Sequence, residues 1–364
     1  DMDDVVWLSP TGGTSGKPKG VMNTHRSLQT FVAHYLLTCS YTASEKPVNL
    51  AAAPMTHTAG LLSLPCTAQG GTVVILGKPE PALMLAAIAS YRVSEFFLPP
   101  TVIYKLLELP GIEQADFSSV KYLMYGAAPM SIEKLKKAIK LWGPIMTGGY
   151  GQTEAPASIA YLPPDQHLVD GALASDERLS SVGRPNPLVR VEIMDDNNRM
   201  LASGEAGEIC VRGDLLMKGY YKRPEKTAET IVDGWLHTGD IGYIDGEGYL
   251  HITDRKKDMI ISGGFNVYPS EVEQVIWSHP AVQDCAVIGV PDEKWGEAVK
   301  AVVELNAGQQ VSGQELIALC KTRLGSVMAP KSVDFVASLP RSPVGKVLKK
   351  ELRAHYWQHA ERKI

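Results

Sequence analysis

Short apolar runs alternate with amphipathic stretches over the first part of the chain. Runs at 5–8, 48–52, 72–76, 95–98 and 120–125 are dense in aliphatic and aromatic residues, the signature of buried strands. Between them, 24–37 and 81–91 read as helices. Ser131 is placed to cap another, whose Ile132, Leu135, Ala138, Ile139 and Trp142 share one face. Such alternation predicts an α/β unit with parallel sheets covered by helices. From 189 to 211 the pattern changes to hairpins, with Asn197-Asn198 and Gly204-Glu205 as turn signals, which predicts a β-rich subdomain. Beyond Asp254 the order is strand, helix (269–277), strands (282–290 and 298–305), helix (313–324), strand, helix. That order predicts a small α+β C-terminal domain. The polar run Thr253-Asp254-Arg255-Lys256-Lys257-Asp258 between the two parts reads by itself as a solvated turn.

A length of 364 residues exceeds the usual single core and favours two domains. A formal net charge of −4 argues against a nucleic-acid partner. Cys39, Cys66, Cys210, Cys285 and Cys320 are odd in number and lack C-x-x-C spacing, which points to a reducing cytoplasm rather than a disulfide scaffold. No run of eighteen apolar residues occurs, so no transmembrane segment is expected.

The run Thr11-Gly12-Gly13-Thr14-Ser15-Gly16-Lys17-Pro18-Lys19-Gly20 contains no apolar side chain except Pro18. Its glycines, hydroxyls and lysines suit a phosphate cradle placed between a strand and a helix, or a flexible surface loop. It is a near miss to the Walker pattern: with Gly-Lys set on Gly16-Lys17, Thr11 takes the first glycine's place and Pro18 the magnesium-binding hydroxyl's. Tyr150-Gly151-Gln152-Thr153-Glu154 follows an expected strand end, where α/β sheets hold ligands. Tyr150 offers a stacking ring, Thr153 a phosphate donor and Glu154 an oxygen ligand for Mg²⁺; a capped glycine turn accounts for the run equally well. Gly126-Ala127-Ala128-Pro129 is a small-residue strand-to-helix connection. Asp240 suits a ribose diol or an exposed turn, and Lys346 is by composition one of many solvated lysines.

Together these segments resemble the adenylate-forming superfamily of acyl-CoA synthetases, firefly-type luciferases and peptide-synthetase adenylation domains. The phosphate loop, Gly-Ala-Ala-Pro, Tyr-Gly-Gln-Thr-Glu, Thr-Gly-Asp, Asp-Arg and a C-terminal Gly-Lys occur in the family's order over nearly the whole chain. Gly12 stands where the family carries a serine, and Ser15 where it carries a threonine. The resemblance implies a large domain over 1–253, a hinge at 254–258 and a mobile domain over 259–364. It assigns ATP phosphates to the 11–20 loop, adenine to Gly126, Ala127 and Ala128, and nucleotide contacts to Gly149, Tyr150, Gly151 and Thr153. It further assigns Mg²⁺ to Glu154, ribose to Asp240, and ribose or phosphate to Arg255. Lys257 becomes the hinge pivot and Lys346 the catalytic cation.

The resemblance implies an AMP-forming acyl-CoA synthetase, with Thr153 and His57 also at the reaction centre. His57-Thr58 lacks the carboxylate that amino-acid-activating members place there, and an unpaired ammonium would be costly in such a pocket. A simple carboxylic acid fits better, and His57 reads either as a site residue or as a core histidine. Gly263 and Gly264 would line the pantetheine passage of coenzyme A. Space at Ala59, Gly60, Gly148 and Gly149, with apolar Leu61, Leu62, Met124 and Ile145, suits a medium or long aliphatic acid, or an aromatic one. Carrier-protein loading and an inactive fragment are the alternatives, and the oligomeric state stays open. Family members carry well over a hundred further residues ahead of the phosphate loop, so the resemblance implies that this chain is the larger, C-terminal part of a longer polypeptide.

Overall fold

The computed structural model describes residues 1–11, 19–52, 54–342 and 346–357, and the elements and counts below are those of the described residues. The chain divides into two compact units. One comprises 1–130, 134–238 and 242–252; the other comprises 131–133, 239–241 and 253–364.

A seven-stranded sheet organises the first unit. Its order is Arg184–Pro185, Ala160–Leu162, Met146–Tyr150, Tyr122–Gly126, Glu95–Leu98, Val48–Ala51, Thr72–Ile75. The last five strands of that order run parallel, as the alternating pattern predicts. Ala160–Leu162 and Arg184–Pro185 are antiparallel, a departure from the purely parallel expectation. Residues 151–159 are too few for the dozen or so that a parallel crossover needs, so the chain doubles back. Leu50, Phe96, Leu98, Leu123 and Met146 are at most 1% exposed in this sheet.

Helices His25–Thr38, Pro81–Tyr91 and Ile132–Trp142 fall close to their sequence expectations. Thr24 lies just outside its helix as the cap: its Oγ1 accepts from Ser27 N while Ser27 Oγ accepts from Thr24 N. Helices Thr58–Ala68 and Pro100–Leu107 were not expected; Pro65 inside the former masks its helical pattern. The unit also holds a three-stranded antiparallel sheet (Val5–Thr11, Lys19–Thr24, Gly219–Tyr220) and the hairpin Val189–Met194 with Gly207–Gly213.

In the second unit, Phe265–Val267, Ile260–Ser262, Gly296–Leu305 and Val282–Asp292 are neighbours in that order, and Ser332–Val336 joins parallel to Gly296–Leu305. Period-two alternation sends Val299, Ala301 and Val303 into one cluster with Val272 and Ile276 of helix Pro269–Trp277 and Leu316 of helix Gly313–Met328. Ala298 and Val302 meet Leu352 and Tyr356 of helix Lys349–Trp357 in another. All five cysteines are buried and unbonded to one another.

Glu95, fully buried in the central sheet, accepts from Tyr41 Oη (2.8 Å) and Asn49 Nδ2 (3.2 Å). Burial raises its carboxyl above the ordinary glutamate value, against the lowering effect of bonds from Tyr41, Tyr35 and Asn49. A carboxyl raised on folding keeps its proton longer in the native state, so stability falls as pH rises from the unfolded value through the folded one. Glu95→Gln removes that titration. Its melting temperature is expected to rise relative to wild type as pH increases above about 4.5; parallel melting curves from pH 4 to 8 would contradict this origin.

Candidate functional site

The sequence motifs map onto two groups of residues, one in each compact unit. In the first unit, Thr11 ends one strand and stands opposite Lys19, the first residue of the next. Gly12, Gly13, Thr14, Ser15 and Gly16 lie outside the described residues. The cradle was expected between a strand and a helix, yet its flanks are two antiparallel strands. Val21 and Asn23 alternate inward with no exposure, which makes 19–24 a strand before Thr24 caps the helix.

Gly126 and Gly149 stand opposite each other on adjacent parallel strands. A Cβ on Gly126 would lie 2.4 Å from the Gly149 carbonyl oxygen, so the close approach requires glycine. Ala127, exposed just past the strand end, has a φ of 65°, a left-handed conformation costing about 1–2 kcal/mol. Ala128 is half-buried beside it. Tyr150 is only 7% exposed and packs in the core of the unit. Gly151 is held against the backbone of Ala157, within 2.6 Å of where its Cβ would be. Gln152 Nε2 donates to Thr238 O (2.9 Å), and Asn23 Nδ2 to Thr153 O (3.4 Å).

Glu154 is tied to a residue the sequence reading missed. Tyr220, 4% exposed, donates its hydroxyl to Glu154 Oε1 at 2.7 Å, and Lys19 Nζ sits 4.0 Å from the centre of its ring. Burial draws the Lys19 ammonium below the ordinary lysine value, with Glu154 opposing that shift. The phenol is raised by burial and then by Glu154. Pairing of Gly219–Tyr220 with Lys19–Thr24 assembles this trio, and no local motif announces it.

The glycines expected to leave room for an acyl chain each lie close to a neighbouring group. A Cβ on Gly60 would meet Met55 O at 1.8 Å, one on Gly148 would meet Tyr125 Oη at 2.9 Å, and one on Gly149 the Tyr161 ring at 3.2 Å. Leu61, Leu62, Met124 and Ile145 are buried. His57 is exposed at the start of helix Thr58–Ala68 and makes no side-chain cap bond, so it is not a core histidine. A cleft of about 540 Å³ elsewhere in the unit, lined by residues such as Tyr161, Gln166, Arg184 and Asn186, includes none of the expected site residues.

In the second unit, Asp240 is 4% exposed, and its Oδ1 accepts from Arg255 Nε at 3.2 Å. The two residues assigned to the nucleotide therefore pair with each other. Asp254, also buried, accepts from Arg255 N (2.6 Å) and Ser270 N (2.9 Å), which fixes the start of the 254–258 segment. Lys257 is drawn below its ordinary value by burial of its ammonium and then by Arg255. Lys346 shares this neighbourhood. Although part of the residue is exposed, desolvation of the ammonium and then Arg255 lower it to about 8, while Asp240 and Asp258 oppose the shift.

Gly263 and Gly264 form the two-residue turn of the hairpin Ile260–Ser262 with Phe265–Val267, at φ of 59° and 83°. A Cβ on Gly263 would strike the Trp295 ring at 2.4 Å, whereas the space beside Gly264 is open.

A model of the AMP-binding enzymes matches residues 1–221, and one of the AMP-binding enzyme C-terminal domain matches 271–346. The chain belongs to the AMP-binding, adenylate-forming enzymes. It is 42% identical to the medium/long-chain-fatty-acid–CoA ligase FadD8 of Mycobacterium tuberculosis, over all of this chain and 63% of that protein. It is 40% identical to feruloyl-CoA synthase of an Amycolatopsis species, over 98% of this chain and 70% of that one. Among solved structures, the amide bond synthetase McbA of Marinactinospora thermotolerans superposes with a TM-score of 0.88 at 38% identity, covering 96% of this chain and 69% of that one. The chain thus spans somewhat under two thirds of the FadD8 ligase's length.

Tyr220→Phe would leave Glu154 without its buried donor. The expected cost, about 1.5–3 kcal/mol in denaturant unfolding, separates this bond from a surface contact, whose loss would leave the midpoint unchanged.

Proposed function

We propose that this AMP-binding enzyme activates a carboxylic acid with ATP and transfers the acyl group to the thiol of coenzyme A. The observation that carries the reading is the gathering of Lys346, Arg255, Asp240 and Lys257 in one electrostatic neighbourhood. In the first step a carboxylate oxygen attacks the α-phosphorus of ATP, the bond to the bridging oxygen breaks, and pyrophosphate leaves. Two anions must meet, so a preformed cation lowers the barrier, and Lys346 supplies it. Arg255 and Asp240 hold the ribose, and the 11–20 loop with Thr153 holds phosphate. In the second step the thiol sulfur attacks the acyl carbon and its proton passes to solvent. The acyl C–O bond breaks and AMP leaves. Lys257 is the pivot between the two steps.

No group of three or more His, Cys, Asp or Glu side chains among the described residues is placed to hold a metal by itself. Glu154 fits Mg²⁺ carried chiefly by phosphate oxygens and water, where the ion would offset phosphate charge. The acid is medium- or long-chain aliphatic or aromatic, a reading supported by relatives named for fatty acids and for ferulate. Five buried, unbonded cysteines support a cytoplasmic location, and no helix among the described residues is long and apolar enough to cross a membrane.

Lys346→Ala in the complete protein is expected to lower acid-dependent ATP–pyrophosphate exchange by about 100-fold or more and to spare thioester formation from supplied acyl-adenylate. Since Lys346 is charged below about 8, wild-type exchange should decline as pH rises through that value, and Lys346→Arg should remove the decline. Equal loss of both half-reactions in Lys346→Ala would remove its assigned role. Lys257→Pro, by stiffening the pivot, should slow thioester formation while exchange persists. The assay offers CoA beside a phosphopantetheinyl carrier protein, and preference for the carrier would replace CoA as the acceptor.

A further inference from the structure

Helix Lys349–Trp357 begins just beyond Lys346 and is fastened to the second unit along its length. Lys349 Nζ donates to buried Glu273 at 2.7 Å; burial works against that ammonium, yet Glu273 and then Asp254 carry it well above the ordinary lysine value. Tyr356 Oη donates to Asp334 Oδ2 (2.5 Å), and Trp357 Nε1 to Gly289 O (3.0 Å). The loop bearing Lys346 is closed at its base by Leu348 N donating to Pro340 O (2.8 Å). Arg341 anchors its incoming side to Asp284 (2.8 Å) and Glu304 (3.1 Å).

One residue of this helix points the other way. Arg353 pairs through Nη2 with the Asp258 carboxylate, and its Nη1 donates to the carbonyl of Lys257 at 3.4 Å. Asp258 N and Met259 N both donate to Arg255 O, at 2.8 and 3.2 Å, closing the turn around Lys257. We propose that Arg353 is a positioning residue for acyl-adenylate formation: it bolts the helix that follows Lys346 to the peptide just after the pivot. The inference rests on the roles given above to Lys346 and Lys257.

Two consequences follow from the contacts. Arg353 ties the Lys257 carbonyl and the Asp258 carboxylate to helix Lys349–Trp357, so a turn at Lys257 would fall on the bonds ahead of that carbonyl. Leu348 and Pro340, joined at the base of the Lys346 loop, are then held through the same helix to the peptide after Lys257. Arg353 also neutralises Asp258, an anion that otherwise favours the charged form of Lys346.

The test uses Arg353→Ala and Arg353→Lys in the complete protein. Hydrogen exchange at the amides of 256–259 should quicken in Arg353→Ala. Its pyrophosphate-exchange kcat should fall about 10- to 100-fold, with KM for ATP and acid nearly unchanged and thioester formation from supplied acyl-adenylate retained. The high-pH decline of exchange should move upward, because unpaired Asp258 then supports the Lys346 charge. Arg353→Lys, which keeps a cation for Asp258, should recover most of the rate. Unchanged amide exchange, or quickened amide exchange with both half-reactions intact, overturns the proposal. So does equal loss of both half-reactions with a lowered melting temperature, the mark of a merely structural residue. If the wild-type protein exchanges pyrophosphate with no acid, the ligase reading fails separately. The amide exchange of 256–259 still decides whether Arg353 holds the hinge peptide.

Discussion

The pairing of Gly126 with Gly149 is the constraint that shapes the carboxyl edge of the first unit's sheet. These residues face each other across adjacent parallel strands so closely that no side chain fits between Gly126 and the neighbouring carbonyl. Because both strands end at the same level, Gly126-Ala127-Ala128 and Tyr150-Gly151-Gln152-Thr153-Glu154 emerge side by side at the carboxyl edge of the sheet. Just beyond, Ala127 is left-handed and Gly151 packs on the Ala157 backbone. The backbone of this edge is therefore set by packing before any ligand arrives, which is how a preorganised site is built.

The second unit uses charge where the first uses close approach. Its cationic groups Arg255, Lys257 and Lys346 lie near Asp240 and Asp258, so positive charge is crowded but not left bare. Crowding of this kind keeps an ammonium easy to desolvate further and responsive to an incoming anion. Under the proposed function, a bound nucleotide's phosphates would restore the Lys346 charge that desolvation and then Arg255 weaken.

Segments with a regular apolar pattern were the most legible. Alternating apolar runs located the strands of the parallel sheet, and helices Pro81–Tyr91 and Pro269–Trp277 match their sequence ranges. Features set by distant partners could not be read. Tyr220 reaches Glu154 across 66 positions and Arg353 reaches Asp258 across 95, with no local spacing to mark either. Lys19–Thr24 was missed as a strand because its polar lead-in hides the inward alternation of Val21 and Asn23. Of the glycines read as room for an acyl chain, Gly60 lies against the Met55 backbone, and Gly148 and Gly149 lie against the Tyr125 and Tyr161 side chains, a distinction that needs neighbours in three dimensions.

Burial of all five cysteines has a consequence if the chain forms the mixed anhydride proposed for it. Such an intermediate acylates whatever sulfur nucleophile it meets, and the thiolate is the reactive form. Burial raises Cys39 and Cys285 well above the ordinary thiol value, and Cys66 and Cys320 to about 11. Under the proposed chemistry, these cysteines would be withheld from the activated acyl group. An external thiol would then face little competition from these five cysteines, whose burial alone holds back their acylation.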